Sequence, residues 1–200
     1  MIHDPSPLPE DPLTLLQDWL KAAEQAESRD PNAMALATVS PEGYPSLRMV
    51  LLKGLDARGC VFYTHLGSRK GRELAALPRA ALCFHWKSLD RQVRLEGSVE
   101  AVSPEEADAY FASRPRESQL GAWASRQSEP MTRPQELDDR LREVALRFEG
   151  SSVPRPSGWS GFRLVPERIE FWEARPSRLH WRLLYQRGAL GIWTQFQLFP

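Results

Sequence analysis

The alternation of apolar and polar positions divides the chain into a helical opening, a run of short strands, a helical middle and a closing set of strands. Residues 13 to 28 repeat Leu13, Leu16, Leu20 and Ala23 at helical spacing, which predicts an amphipathic helix with one buried face. Strand periodicity then takes over. "AMALATVS", "SLRMVLLKG" and "CVFYTHL" are short, rich in strand formers and separated by the turn segments "PEGYP" and "DARG", which predicts an antiparallel meander. "ALCFHW" and "RQVRLEGSVEAV" extend the same sheet. In "SPEEADAYFASR", Ser103 is placed to cap a helix, Pro104 to start it, Glu106 to complete a capping box, and Pro115 to stop it. Leu137, Leu141, Val144 and Phe148 form the stripe of another helix over residues 134 to 150, ended by Gly150. "GWSGFRLV", "RIEFWEAR", "RLHWRLLYQ" and "LGIWTQFQL" read as the closing strands. The expected class is α+β, mainly β: a small antiparallel barrel decorated by helices.

Composition narrows the function classes. The 26 basic residues balance 26 acidic ones, so no global field favours nucleic acid or an anionic membrane, and local clusters must carry any anion chemistry. Cys60 and Cys83 lie in apolar runs without metal-ligand spacing and read as reduced core thiols, which suits a cytoplasmic protein with no metal. The opening "MIHDPSPLPEDP" is proline-rich and acidic, unlike a signal peptide, and predicts a flexible arm over residues 1 to 12 ahead of a single domain over residues 13 to 200.

Four stretches carry candidate chemistry. "SLRMVLLKG" looks like a buried strand, yet has Arg48 at its entrance and Lys53 at its exit. An odd separation on a pleat sends the two side chains to opposite faces, about 16 Å apart along the strand, too far to share one small anion. In "GSRKGREL", Ser68 reads as an N-cap with Arg69 and Lys70 in the first helical turn, where cations oppose the macrodipole unless an anion joins them. A solvated helix start shows the same residues. In "YFASRPRES", Tyr110 and Arg114 share a helical face and Ser118 is placed to cap the next helix, a second plausible phosphate grip. In "RLHWR", strand alternation would set Arg178, His180 and Arg182 on one face, although an exposed edge strand looks alike. Trp172 reads either as core or as a surface for a planar ligand. Neither a dinucleotide nor a Walker fingerprint is present, and no catalytic triad order.

Together the stations "LATVSPEGYPSLRMVLLK", "VFYTHLGSRKGREL", "DRQVRLEG", "YFASRPRESQLGAWASRQS", "IEFWEA" and "RLH" resemble, in order and spacing, the pyridoxamine (pyridoxine) 5′-phosphate oxidases. The resemblance implies an FMN-binding split β-barrel homodimer with FMN at the subunit interface. It implies FMN contacts from Arg48, Met49, Val50, Leu51, Leu52 and Lys53, from Tyr63 and Thr64, from Ser68, Arg69 and Lys70, and from Gln92, with Gln127, Ser128, Trp172 and Arg182 reaching in from the partner subunit. The substrate phosphate would lie on Lys53, Tyr110, Arg114 and Ser118, with the catalytic pair Arg178 and His180 over the pyridine ring. The implied partners are the phosphorylated pyridine and molecular oxygen, with neither nucleic acid nor membrane. Alternatives from the same scaffold are an FMN oxidase of secondary metabolism acting on a reduced polycyclic compound, and a non-enzymatic carrier of FMN or pyridoxal phosphate.

The chain departs from the family pattern at His65, where asparagine is usual, at Leu77, at Trp181, where aspartate is usual, and at Gln197. Trp181 and Gln197 are expected to touch dimer packing or the substrate-side wall.

Overall fold

The computed structural model describes residues 8 to 200, so the first seven positions of the expected arm lie outside the described residues. Asp11 caps the first helix, α1 (Pro12–Ala26), by accepting from Leu13 N at 3.0 Å, and Pro12 pre-sets the first turn. Leu13, Leu16, Leu20 and Ala23 are buried as expected, joined by Trp19, which packs edge-on to Phe171 at 5.2 Å.

The strands are β1 (Ala33–Val39), β2 (Pro45–Leu51), β3 (Gly54–Asp56), β4 (Gly59–His65), β5 (Arg79–Trp86), β6 (Arg91–Ala101), β7 (Trp159–Glu173), β8 (Trp181–Arg187) and β9 (Trp193–Gln197). They form one antiparallel sheet in the order β2-β1-β5-β6-β7-β4-β3, with β8 also on β7 and β9 on β8. Strand β7 makes the split. One of its edges carries β6, while the other carries β4 along residues 159 to 164 and β8 along residues 168 to 173. This is the α+β, mainly β class that the pattern predicts and the split barrel that the resemblance implies.

The expected meander holds only for β1 and β2. Strand β4 leaves β2 and pairs with β3 and β7, because its buried Cys60, Val61 and Phe62 need the long β7 surface. The two strands expected around Pro166 are one continuous strand. Proline donates no ladder hydrogen bond, and the register shift between Glu96 and Gly97 opposite it absorbs the gap. "SLRMVLLKG" is not a buried strand: β2 is an edge, with Leu47 70 %, Met49 64 % and Leu51 38 % exposed on one face.

Five helices flank the sheet: α1, α2 (Arg69–Ala76), α3 (Pro104–Ser113), α4 (Arg116–Ala124) and α5 (Glu136–Arg147). Ser103 caps α3 by accepting from Glu106 N at 3.1 Å, but the capping box is not closed, because the Glu106 carboxylate turns to buried Arg163 at 2.9 Å. That ion pair ties α3 to β7, and a second from Arg163 to Asp56, at 2.8 Å, joins β7 to β3. Ser118 lies inside α4, whose cap position is Pro115. On α5, Leu137 and Leu141 are exposed and only Phe148, just beyond its end, is fully buried from the expected stripe.

Candidate active site

Two adjoining clefts of about 460 and 500 Å³ open between β2, the β4–α2 corner and the segment after α4. Arg48, Arg69 and Ser128 line only the second; Lys53, Tyr63, Tyr110, Arg114 and Ser118 line only the first; Met49, Lys70 and Gln127 form the wall between them. Arg48 and Lys53 therefore serve different clefts, as their odd spacing requires.

The β4–α2 corner is built as its sequence indicates. Ser68 Oγ accepts from Gly71 N at 3.2 Å and donates to the His65 carbonyl at 2.7 Å, which sets the first turn of α2 against the strand end. Only glycine fits at position 71, since a Cβ there would stand 2.3 Å from the Leu66 carbonyl oxygen. Lys70 is thereby buried, with its Nζ donating to Thr64 Oγ1 at 3.1 Å and Gln127 Oε1 at 3.0 Å. Both partners are neutral, and burial followed by the charge of Arg48 holds the Lys70 ammonium below its ordinary pKa.

Glu73, which the sequence reading did not single out, organises the other two cations. Its carboxylate pairs with Arg48 at 3.3 Å and Arg69 at 2.9 Å, and accepts from Thr38 at 2.5 Å and Ser46 at 2.6 Å. Burial alone would raise its pKa; the hydrogen bonds from Ser46, Thr38 and Arg69 and the charge of Arg48 outweigh that and hold it at about 2. The available signal was the helical spacing of Arg69 and Glu73. One carboxylate against Arg48, Arg69 and Lys70 leaves the second cleft cationic. Beside it Ser128 holds φ +73°, a left-handed conformation costly for a residue with a Cβ.

The first cleft is floored by aromatic rings. Tyr63 stacks on Tyr110 at 4.0 Å and on Trp159 at 5.3 Å, and the Arg114 guanidinium lies 4.8 Å over Trp159. Arg114 Nη1 is buried with no hydrogen-bond partner among the described residues. No carboxylate lines this cleft, so an unsatisfied guanidinium faces a space that also holds Lys53, Tyr110 and Ser118.

The remaining expected residues stand elsewhere. Gln92, Trp172 and Arg182 lie side by side across β6, β7 and β8, on neither cleft. Arg182 is held by Glu170 at 2.8 Å and by the Phe199 carbonyl at 2.9 Å. The residues expected from two chains are thus regrouped: Gln127 sits with Lys70 of its own chain, while Gln92 joins Trp172 and Arg182. Arg178, His180 and Arg182 do not share a strand face. Ser177 and Arg178 both adopt left-handed φ, +57° and +60°, in a turn before β8, which breaks the alternation. His180 packs tilted against Trp172, 4.6 Å between ring centres, and accepts from Arg175 N at 3.2 Å. Trp181 belongs to the core beside Trp19, 6.3 Å between ring centres, and not to a substrate-side wall.

Comparison with known proteins identifies the scaffold. The pyridoxamine 5′-phosphate oxidase family model matches residues 20 to 148, and the model for the pyridoxine 5′-phosphate oxidase C-terminal dimerisation region matches residues 159 to 200. The chain belongs to this oxidase family. It is 59 % identical to a pyridoxine/pyridoxamine 5′-phosphate oxidase of Rhodospirillum rubrum, over 95 % of this chain and 96 % of that one. It is 57 % identical to another of Sphingopyxis alaskensis, over 96 % and 88 % respectively. Among solved structures, PhzG of Burkholderia lata in complex with tetrahydrophenazine-1-carboxylic acid superposes with a TM-score of 0.93 at 34 % identity, covering 100 % of this chain and 98 % of that one. The first match covers β2, β4, α2, α3 and α4, which build both clefts, while the second contributes Trp159 to the first cleft and also contains the strands bearing Trp172 and Arg182, which line neither.

Proposed function

We propose that the chain is an FMN-dependent oxidase that converts pyridoxine 5′-phosphate or pyridoxamine 5′-phosphate to pyridoxal 5′-phosphate. Oxygen accepts two electrons and two protons as hydrogen peroxide; the amine substrate also consumes water and releases ammonia. The observation that carries this reading is the buried, unpartnered Arg114 Nη1 in a cleft free of carboxylates, beside Lys53, Tyr110 and Ser118. A phosphate ester satisfies all four groups.

The second cleft fits FMN by the chemistry of its donors. Three cations against one carboxylate, with the capped start of α2, suit a phosphate monoester, and Lys70 is buried without an anionic partner. When bound, FMN supplies the two-electron acceptor that oxygen can regenerate. The chain's own residues bind and orient. Arg48, Arg69 and Lys70 hold the cofactor phosphate, with Gln127 and Ser128 beside it, while buried Ser68 caps the helix start behind them. Beyond that end Met49, Lys70 and Gln127, which both clefts share, would flank the cofactor, and Val50, Leu51, Tyr63 and Thr64 would line it in the first, with Leu52 behind them in the core. Lys53, Tyr110, Arg114 and Ser118 fix the substrate phosphate, and the stacked Tyr63, Tyr110 and Trp159 keep water from that end.

Gln92, Trp172, Arg182, Arg178 and His180, which line neither cleft of their own chain, act in the partner's site within a homodimer. The match of residues 159 to 200 to a dimerisation region supports this arrangement, as does the exposed apolar face of Leu47, Met49 and Leu51. Reduced Cys60 and Cys83 suit a cytoplasmic enzyme, and no helix among the described residues is long and apolar enough to cross a membrane. The single domain is retained within this proposal; of the expected arm, the described part is held, with Leu8 packed on the core, the Pro9 carbonyl accepting from Tyr185 Oη at 3.0 Å and Pro12 opening α1.

The likeness to PhzG favours a second reading, oxidation of a reduced tricyclic carboxylic acid, in which Arg114 would hold a carboxylate. Anaerobic mixing separates the readings. Pyridoxine 5′-phosphate should bleach the flavin, and air should restore its colour with peroxide formed. Bleaching by a reduced phenazine carboxylate alone would select the second reading, and a bound flavin that neither compound bleaches would make the protein a carrier.

A further inference from the structure

His65 ends β4 on the wall of the first cleft, and its place there is tightly determined. Ser68 donates to its carbonyl from Oγ at 2.7 Å and from N at 3.1 Å, and its ladder partner is Trp159. Helix α2 presses so close that a Cβ on Gly71 would stand 2.6 Å from the His65 carbonyl oxygen. The imidazole, by contrast, makes no hydrogen bond to any described residue.

The charged and titratable groups sharing that wall come from four elements: Tyr63 from β4, Lys53 from the β2–β3 link, Lys70 from α2, and Tyr110 and Arg114 from α3 and its end. The other lining residues, Trp159, Ser118, Thr64 and Gln127 among them, do not titrate near neutrality. Burial, Glu106 and Tyr110 push Tyr63 up to about 12, and burial also raises Tyr110, so both stay neutral. The permanent charges around His65 are therefore all positive. Burial, then Lys70 and Arg114, hold its imidazolium below the ordinary range while the cleft lacks an anion. A phosphate ester entering with between one and a half and two negative charges offsets most of that positive charge and so lowers the penalty on an imidazolium.

We propose that His65 takes up a proton as a ligand phosphate settles among Lys53, Arg114 and Ser118, and so becomes a pH-gated donor to that anion. This rests on the reading of the first cleft as a phosphate site. The sign follows from linkage. The free cleft protonates His65 only at lower pH than the filled one, so affinity rises as pH falls from the filled-cleft protonation point to the free-cleft point, and is level outside that window.

The test uses the FMN-loaded parent and the variants His65→Asn and His65→Gln, titrated calorimetrically with pyridoxal 5′-phosphate in buffers of different ionisation enthalpy. Ionisations of the ligand itself, including its phosphate near pH 6, are common to all three proteins and cancel in the comparison. The parent should take up more protons on binding than either variant. Between about pH 8.5 and pH 6 it should gain about tenfold more affinity than they do, the equivalent of a protonation point displaced by about one unit. Equal proton uptake and equal pH slopes, with binding intact, would overturn the role of His65 and leave the phosphate site standing. Absence of pyridoxal 5′-phosphate binding in the parent would bring down both.

Discussion

Lys70 and Gln127, on separate elements, are joined by a 3.0 Å hydrogen bond from Nζ to Oε1. That contact and the one to Thr64 leave a buried ammonium with only neutral oxygens around it. A buried charge so placed is costly until an anion arrives. Lys70→Met should therefore leave the stability of the flavin-free protein unchanged or improved, while weakening FMN about ten- to a hundredfold, as expected for one charge-assisted hydrogen bond. Flavin fluorescence titration of the apoprotein reads this directly, and unaltered affinity would remove Lys70 from the cofactor site.

Glu73 gives a pH-dependent counterpart. Its folded carboxyl is held at about 2 against an ordinary 4.5, so the native state binds its proton more weakly than the unfolded chain does. The stabilisation is fully present above the ordinary value and is lost as pH falls towards about 2. Urea unfolding of the parent and Glu73→Gln should show a stability gap at pH 6 that narrows steadily below pH 4.5. A gap independent of pH would show that Glu73 acts through packing alone.

For Arg114, the missing hydrogen-bond partner and the stack on Trp159 predict different responses from two variants. Arg114→Ala should weaken phosphorylated ligands about ten- to a hundredfold and abolish the preference for pyridoxine 5′-phosphate over pyridoxine. Arg114→Lys keeps a charge but loses the planar fork, and should recover only part of that preference. FMN affinity should stay constant in both, since Arg114 does not line the second cleft. Steady-state kinetics on the two substrates checks the series.

The apolar face of β2 predicts assembly. Leu47 is 70 % exposed in the single chain, so Leu47→Asp should fold normally yet lose a side chain whose burial against a partner is worth about 1.5–3 kcal/mol. Sedimentation should show dissociation at concentrations where the parent stays dimeric, with FMN released in parallel. A variant as dimeric as the parent would place the interface elsewhere.

Arg178 and His180 are proposed to orient substrate in the partner's site. His180→Ala and Arg178→Ala should retain flavin and dimer but slow anaerobic flavin reduction, by about a hundredfold where reacting atoms lose their alignment. Reoxidation by oxygen should hardly change. Stopped-flow absorbance separates the two half-reactions, and reduction at the parent rate in both variants would reject the assignment.

Local chemistry made much of the site legible in the chain. Ser68 with Arg69 and Lys70 announced an anion site because cations at a helix start need a reason, and Tyr110 with Arg114 announced another because helical spacing puts them together. The same periodicity announced α1 and most strands, including β6, whose side chains meet core and solvent alternately. These are effects between near neighbours, and near neighbours are what a sequence displays.

Tertiary structure decided what depended on distant partners. The apolar run of β2 could not reveal that it forms an edge, since burial is set by which strand lies alongside. Pro166 broke the pattern of β7 but not the strand, because the compensating irregularity sits across the ladder at Glu96 and Gly97. Alternation in "RLHWR" suggested a shared face that the left-handed turn at Ser177 and Arg178 abolishes. Glu73 became the counter-ion of Arg48 only when β2 met α2, and Gln127 became the partner of Lys70 only when the segment after α4 folded over the β4–α2 corner. The sequence determined which groups could bind phosphate; long-range packing determined which of them lack a partner, and an unpartnered buried charge is what turns a basic residue into a site.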